Sequence, residues 1–239
     1  MPYQFEQGEV FLINKPYQWT SFDVVGSLRG FLRAKAGIHK IKIGHAGTLD
    51  PLATGLLILC TGKFTKQIES YQALEKEYTG TFTLGATTPS FDLETEIDQR
   101  FPTDHISKAM ILDCACRLTG DFDQSPPVFS AKKIDGKRAY KYARKDIEVV
   151  MRPRRVNVSA FEITGIEMPR VHFRIACSKG TYIRSLASEF GKLSGSGAHL
   201  SALCRTRIGS YHLRDAFELE DLKKKILESM EDSTGRSDE

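Results

Sequence analysis

The 239-residue chain has no long hydrophobic run, and none approaches the roughly 18 apolar residues of a membrane-spanning helix. Its N-terminus, MPYQFEQGEVFLINKP, does not place a basic start before an apolar stretch, so no secretory leader is expected and the chain reads as cytoplasmic. Cysteine is scarce: five residues, at 60, 114, 116, 177 and 204, odd in number and scattered. They sit among apolar or helical neighbours, where buried free thiols are usual. Cys114 and Cys116 stand two apart in an expected helix, where side chains diverge, so they make a poor metal clamp. Gly62-Lys63 is followed by Phe64 rather than Ser or Thr, which excludes a P-loop. There is no H-E-x-x-H, no G-x-S-x-G and no Rossmann glycine fingerprint.

What is present fits a folded domain. The chain is 41% apolar and 27% charged, enough for a sizeable core in one large domain or two small ones. The net charge of +4 is unremarkable, but its distribution is not. Between Lys132 and Arg155 there are ten Lys or Arg against three acids, whereas the stretch from Asp215 onward is acidic. A concentrated basic stretch suits a polyphosphate partner, and it equally suits a solvated face.

Apolar spacing predicts a strand over 10–14, a helix capped by Ser21 with Val24, Val25, Leu28, Phe31 and Leu32 on one face, and a short strand over 41–44. The continuous run 56–60 reads as a buried strand. Further strands are expected over 78–84, around 128–134 and 149–163, over 171–177 and over 200–208. Helices are expected from Thr65, from Thr103, near 138–145, from about Thr181 and over 216–230. Strands and helices intermix without a βαβ period. The expected class is therefore α+β, around a mostly antiparallel or mixed sheet.

The densest chemical signal is Gly44-His-Ala-Gly-Thr-Leu-Asp-Pro-Leu-Ala-Thr-Gly55. Three glycines and a proline in twelve residues shape a loop between two apolar strands, and it displays a His and an Asp. By itself, Asp50 there reads more readily as a turn residue that bonds a nearby N–H. At this point six stretches resemble, in order, the motifs of the bacterial tRNA pseudouridine synthase B family. They are NKPYQWTS (14–21), GHAGTLDPLATGLL (44–57), KEYTGTFTLG (76–85), FSAKKIDGKRAYKYAR (129–144), CSKGTYIRSLA (177–187) and AHLSALCRTRIG (198–209).

The resemblance implies a pseudouridine synthase fold over 1–210, followed by a short helical, acidic segment over 211–239. It implies conversion of a T-loop uridine of tRNA to pseudouridine with Asp50 as the catalytic carboxylate. Arg184 is implied to pair with that aspartate and Tyr78 to stack on the target base. His45, Tyr182, Leu203, Lys15 and Asp92 fall on family positions that contact RNA, line the pocket or shape the motifs. Lys132, Lys133, Arg154 and Arg155 are candidate phosphate contacts. The usual glycine of the first motif is replaced by Gln18. Only 28 residues follow Tyr211, too few for the RNA-binding PUA domain that many relatives carry, so a short form is expected.

The implied reaction breaks N1–C1′ and forms C5–C1′ without redox change, so no cofactor or metal is expected. A carboxylate serves it by attacking the base, attacking the sugar carbon or removing a sugar proton. An N-glycosidase using Asp50 would instead want a second carboxylate, and a non-catalytic RNA-binding module would need none. No membrane or obligate protein partner is expected.

Overall fold

The computed structural model describes residues 3–129, 133–134, 137–138 and 152–234. Among them the fold is α+β, as expected. It divides into two compact units, Met1–Lys76 with Cys204–Glu239, and Glu77–Leu203.

In the first unit, β1 (Val10–Lys15) runs antiparallel to β3 (Ala53–Thr61), from Val10 opposite Cys60 to Lys15 opposite Gly55. Strand β2 (Ile43–His45) pairs antiparallel along the other edge of β3, with Gly44 opposite Cys60. The run LLILC was read as a buried strand, and all of it is buried. Period-two alternation sends its side chains to two different clusters. Leu57 and Leu59 pack with Phe11, Ile13, Val24, Leu28 and Leu32, whereas Leu56, Ile58 and Cys60 pack with Ala46 and Ile208. The first cluster also takes Leu219, Leu222 and Ile226 from the terminal helix. The stretch beyond 210 therefore contributes to this unit's core.

Helix α1 (Ser21–Lys35) begins one residue earlier than its expected cap allows. Thr20 is the N-cap, in a capping box with Asp23: Asp23 N–H donates to Thr20 Oγ1 at 3.1 Å and Thr20 N–H to Asp23 Oδ2 at 2.8 Å. This releases Ser21 from capping, and its hydroxyl is used elsewhere. After a 3₁₀ turn (Gly62–Gln67) comes the short α2 (Ile68–Ala73). Thr65 bonds back to Gly62 O at 2.8 Å and caps nothing.

In the second unit, the first half of β12 (Ala198–Ile208) neighbours β4 (Lys76–Leu84), followed by β11 (Arg170–Cys177), β10 (Arg154–Glu167) and β7 (Gly120–Gln124). Both β10–β11 and β10–β7 are antiparallel. The sequence GDFDQ of β7 carries one apolar residue and gave no strand signal. It forms because β10 supplies a ladder from Arg154–Gln124 to Val158–Gly120. Two small hairpins complete the strands: β5 (Ala86–Thr87) with β6 (Gln99–Arg100), and β8 (Lys133–Ile134) with β9 (Lys137–Arg138).

Helix α3 (Lys108–Arg117) is capped by Ser107, four residues after the expected start at Thr103. On it Cys114 is buried and Cys116 exposed, so the two thiols diverge. Helix α4 (Ile183–Leu193) buries Leu186, Ala187 and Phe190. Phe190 joins Phe82, Phe161 and Phe173 in an aromatic core, with Phe82 and Phe173 at 4.3 Å between centroids. Strand β13 (Tyr211–His212) and helix α5 (Leu219–Thr234) close the chain in the first unit. The helix expected near 138–145 lies outside the described residues. No helix among them is long and apolar enough to cross a membrane.

Candidate active site

The candidate residues are divided between the units. Lys15, His45 and Asp50 belong to the first; Tyr78, Asp92, Arg154, Arg155, Tyr182, Arg184 and Leu203 belong to the second.

Asp50 lies in the connection between β2 and β3, and the main chain around it is tied down almost residue by residue. Ala46 N–H donates to Ile58 O at 2.9 Å, continuing the hairpin ladder into the loop. Leu49 is gripped on both sides by the Ser21 hydroxyl, which accepts from Leu49 N–H at 2.9 Å and donates to Leu49 O at 3.3 Å. Pro51 O accepts from Gln18 N–H at 2.9 Å and from Lys15 Nζ at 3.3 Å. Ala53 N–H closes a turn onto Asp50 O at 3.1 Å. Gly55 has φ +102, and a Cβ there would meet the Arg205 carbonyl oxygen at 2.4 Å, so two main chains touch at a position only glycine allows.

Lys15 is fully buried, and its ammonium also donates to Pro16 O at 2.9 Å and Trp19 O at 2.6 Å. Burial pulls its pKa down to about 8; the Asp50 carboxylate opposes that fall, Arg205 adds to it and Asp23 opposes it. It therefore keeps its charge at neutral pH, and that charge braces the loop from within. The pKa of His45 is also held down, first by burial and then by Arg205, against a backbone hydrogen bond at Gly47. The imidazole is thus neutral at physiological pH. Its Nδ1 is buried and has no hydrogen-bond partner among the described residues.

Gln18 replaces the glycine that the resemblance expects, yet it adopts the same kind of backbone, with φ 65. Its N–H holds Pro51, so the left-handed geometry is kept at a cost in strain. Gln18→Gly should leave stability within about 1 kcal/mol, because relief of strain offsets the greater entropy of glycine. Gln18→Val should cost about 1–3 kcal/mol, since branching at Cβ disfavours positive φ further. Urea unfolding of both variants checks this; a valine variant as stable as wild type would remove strain from the account.

In the second unit, Arg184 stands in the first turn of α4 and is 3% exposed. Its Nε lies 3.5 Å from Asp92 Oδ2, and Nη1 donates to Ser90 O at 3.2 Å. Asp92 is itself 4% exposed, and its Oδ1 accepts from Glu94 N–H at 3.0 Å. Between Ser90 and Asp92, Phe91 has φ 64. This positive φ lets residues two apart, Ser90 and Asp92, present a carbonyl and a carboxylate to one guanidinium.

Tyr182 is the N-cap residue of α4. Gln124 clamps its backbone, accepting from Tyr182 N–H at 2.8 Å and donating to Tyr182 O at 3.1 Å. Arg154 lies over the Tyr182 ring, 4.9 Å from its centroid, and also donates to Gly180 O. One N–H of Arg154 is thus engaged within the KGTY turn, while Arg155 is exposed. Tyr78 is 9% exposed on β4 and Leu203 is half-buried on β12. Lys132 lies outside the described residues, as does the side chain of Lys133. Sequence reasoning did not single out Ser90, Gln124 or Arg205, and it read Ser21 only as a helix cap. All four act through main-chain hydrogen bonds, which carry no pattern in one sequence. Among the described residues, no group of three or more His, Cys, Asp or Glu is placed to hold a metal ion.

The chain matches two family models: TruB family pseudouridylate synthase (N terminal domain) over residues 33–183, and tRNA pseudouridylate synthase B C-terminal domain over residues 184–236. It is 53% identical over 219 residues to tRNA pseudouridine synthase B of Flavobacterium johnsoniae, covering 91% of this chain and 96% of the relative. It is 48% identical over 226 residues to that of Bacteroides thetaiotaomicron, covering 93% and 94%. Among solved structures, a chain of a Cbf5-Nop10-Gar1 complex superposes with a TM-score of 0.72 at 28% identity. A chain of an H/ACA RNP bound to a substrate RNA containing 2′-deoxyuridine gives 0.69 at 26%. Each covers 96% of this chain, which spans only 57% and 56% of their respective lengths.

Proposed function

Because the chain belongs to the TruB family of pseudouridylate synthases, we propose that it isomerises a T-loop uridine of tRNA, at position 55, to pseudouridine. Asp50 is the reacting carboxylate in this reading, and no cofactor takes part. The observation that carries it is the loop itself: main-chain groups on both sides of Asp50 are fixed by buried side chains of Lys15, Ser21 and Arg205. A carboxylate fixed before substrate arrives does not have to be ordered during the reaction.

Arg184 falls on the family position that pairs with this aspartate, and Asp92 and Ser90 hold its guanidinium in place. A target uridine must leave its stack before it can react, and an aromatic face offsets the lost stacking by roughly 1–3 kcal/mol per base. Tyr78 and Tyr182 have that role, the latter on a backbone clamped by Gln124. His45, whose Nδ1 has no partner among the described residues, contacts the RNA in this reading. Leu203 lines the apolar side of the pocket. Lys132, Lys133 and Arg155 supply phosphate contacts, and Arg154 adds its charge beside Tyr182. The partner is tRNA through its T-arm stem-loop, and the place of action is the cytoplasm.

The test is modification mapping on an unmodified tRNA transcript incubated with purified protein. Pseudouridine at a single T-loop site is expected, with no free base released. Free uracil would make the protein an N-glycosidase, and bound but unaltered RNA would make it a binding module.

A further inference from the structure

Arg205 lies on β12 within the first unit and is 1% exposed. Its guanidinium meets three backbone carbonyls: Nε donates to Leu56 O at 2.7 Å, Nη2 to Gly47 O at 3.1 Å, and Nη1 reaches Thr48 O at 3.5 Å. Gly47 and Thr48 precede Asp50, and Leu56 follows it. One planar group therefore joins the two ends of the segment that carries the carboxylate.

The backbone repeats the junction. With no side chain on Gly55, the Arg205 main chain comes so close that a Cβ would lie 2.6 Å from Arg205 N and 2.4 Å from its O. Burying a guanidinium is costly, and an apolar side chain would fill the same volume without that cost. Arginine is favoured where several acceptors must be held in a fixed plane, because its donors form a rigid fork. Here the acceptors are loop carbonyls. The charge also reaches two neighbouring groups, as it contributes to the lowered pKa of both Lys15 and His45.

We infer that Arg205 is a positioning residue: its guanidinium clasps the two ends of the Gly47–Leu56 segment and so sets where Asp50 stands. The inference rests on the reading of Asp50 as the reacting carboxylate. Lysine keeps the charge but places one ammonium where three carbonyls need a planar fork. Glutamine keeps part of the donor set and removes the charge.

Arg205→Lys and Arg205→Gln are to be compared with wild type and with Asp50→Asn. The readouts are thermal midpoint, tRNA affinity, single-turnover rate at saturating RNA, and amide hydrogen exchange. Both Arg205 variants should lose about a hundredfold in single-turnover rate, the loss that a displacement of ~1 Å can cause. Affinity should stay within about twofold. Exchange should quicken over 47–52 while the amides of β3 stay protected. Wild-type rates in either folded variant would overturn the proposal. So would a parallel loss of rate, affinity and β3 protection, or failure of both variants to fold, since each would make Arg205 an ordinary structural residue. An active Asp50→Asn would instead overturn the reading of the site, so the two failures are distinguishable.

Discussion

Asp50→Asn should lower the single-turnover rate on tRNA by at least about a thousandfold, as expected when a group that reacts covalently or carries the key charge is neutralised. The substitution is nearly isosteric, and the loop's backbone supports survive it. Ala53 N–H bonds the backbone carbonyl of residue 50, not its side chain, and Leu49 and Pro51 are held by Ser21, Gln18 and Lys15. Affinity for tRNA should therefore stay within about twofold and the thermal midpoint within a few degrees. Single-turnover kinetics, filter binding and a melting curve on the same preparation check this. An asparagine variant that keeps a tenth of the wild-type rate would dismiss Asp50 as the reacting group. A variant that loses affinity and rate together would make it a binding residue.

Arg184→Lys should cost about a hundredfold in single-turnover rate, near 3 kcal/mol, with little change in affinity. At 3% exposure the guanidinium is out of reach of a phosphate on the surface. Its surroundings suit a planar fork: Nε faces Asp92 Oδ2 at 3.5 Å, and Nη1 donates to Ser90 O at 3.2 Å. Lysine has one nitrogen for these two partners and leaves at least one of them unmet in a buried site. A drop of several degrees in the thermal midpoint should accompany the loss of rate, because breaking a buried pair leaves charge uncompensated. Salt-dependent affinity and single-turnover rate separate the alternatives. Loss of affinity with an intact rate would make Arg184 an RNA contact and end its assignment to the chemistry.

The sequence by itself determined the parts of this protein that depend on local pattern. The run LLILC marked a buried strand because five consecutive apolar residues have no face to turn to water, and both its faces are packed. The spacing of Val24, Val25, Leu28 and Leu32 marked one face of α1, and all four lie in the core. The glycines of the Asp50 loop marked a shaped connection, since positive φ at Gly47 and Gly55 is inexpensive only without a Cβ. The ordered motifs marked the family.

Tertiary structure decided what depends on partners distant in the chain. Strand β7 has little apolar content and exists because β10 pairs with it. The stretch beyond 210 read as a short helical, acidic segment, and folding brings three residues of its helix together with Val24, Val25 and Leu28 in one cluster. Arg184 is buried because folding placed Asp92, ninety-two residues earlier, against it. Arg205 gave no signal, because its acceptors are backbone carbonyls that every residue possesses, about 150 positions away. Local propensity is written in side-chain spacing. The choice among identical backbone acceptors is made only when the chain brings one of them within 3 Å of a donor.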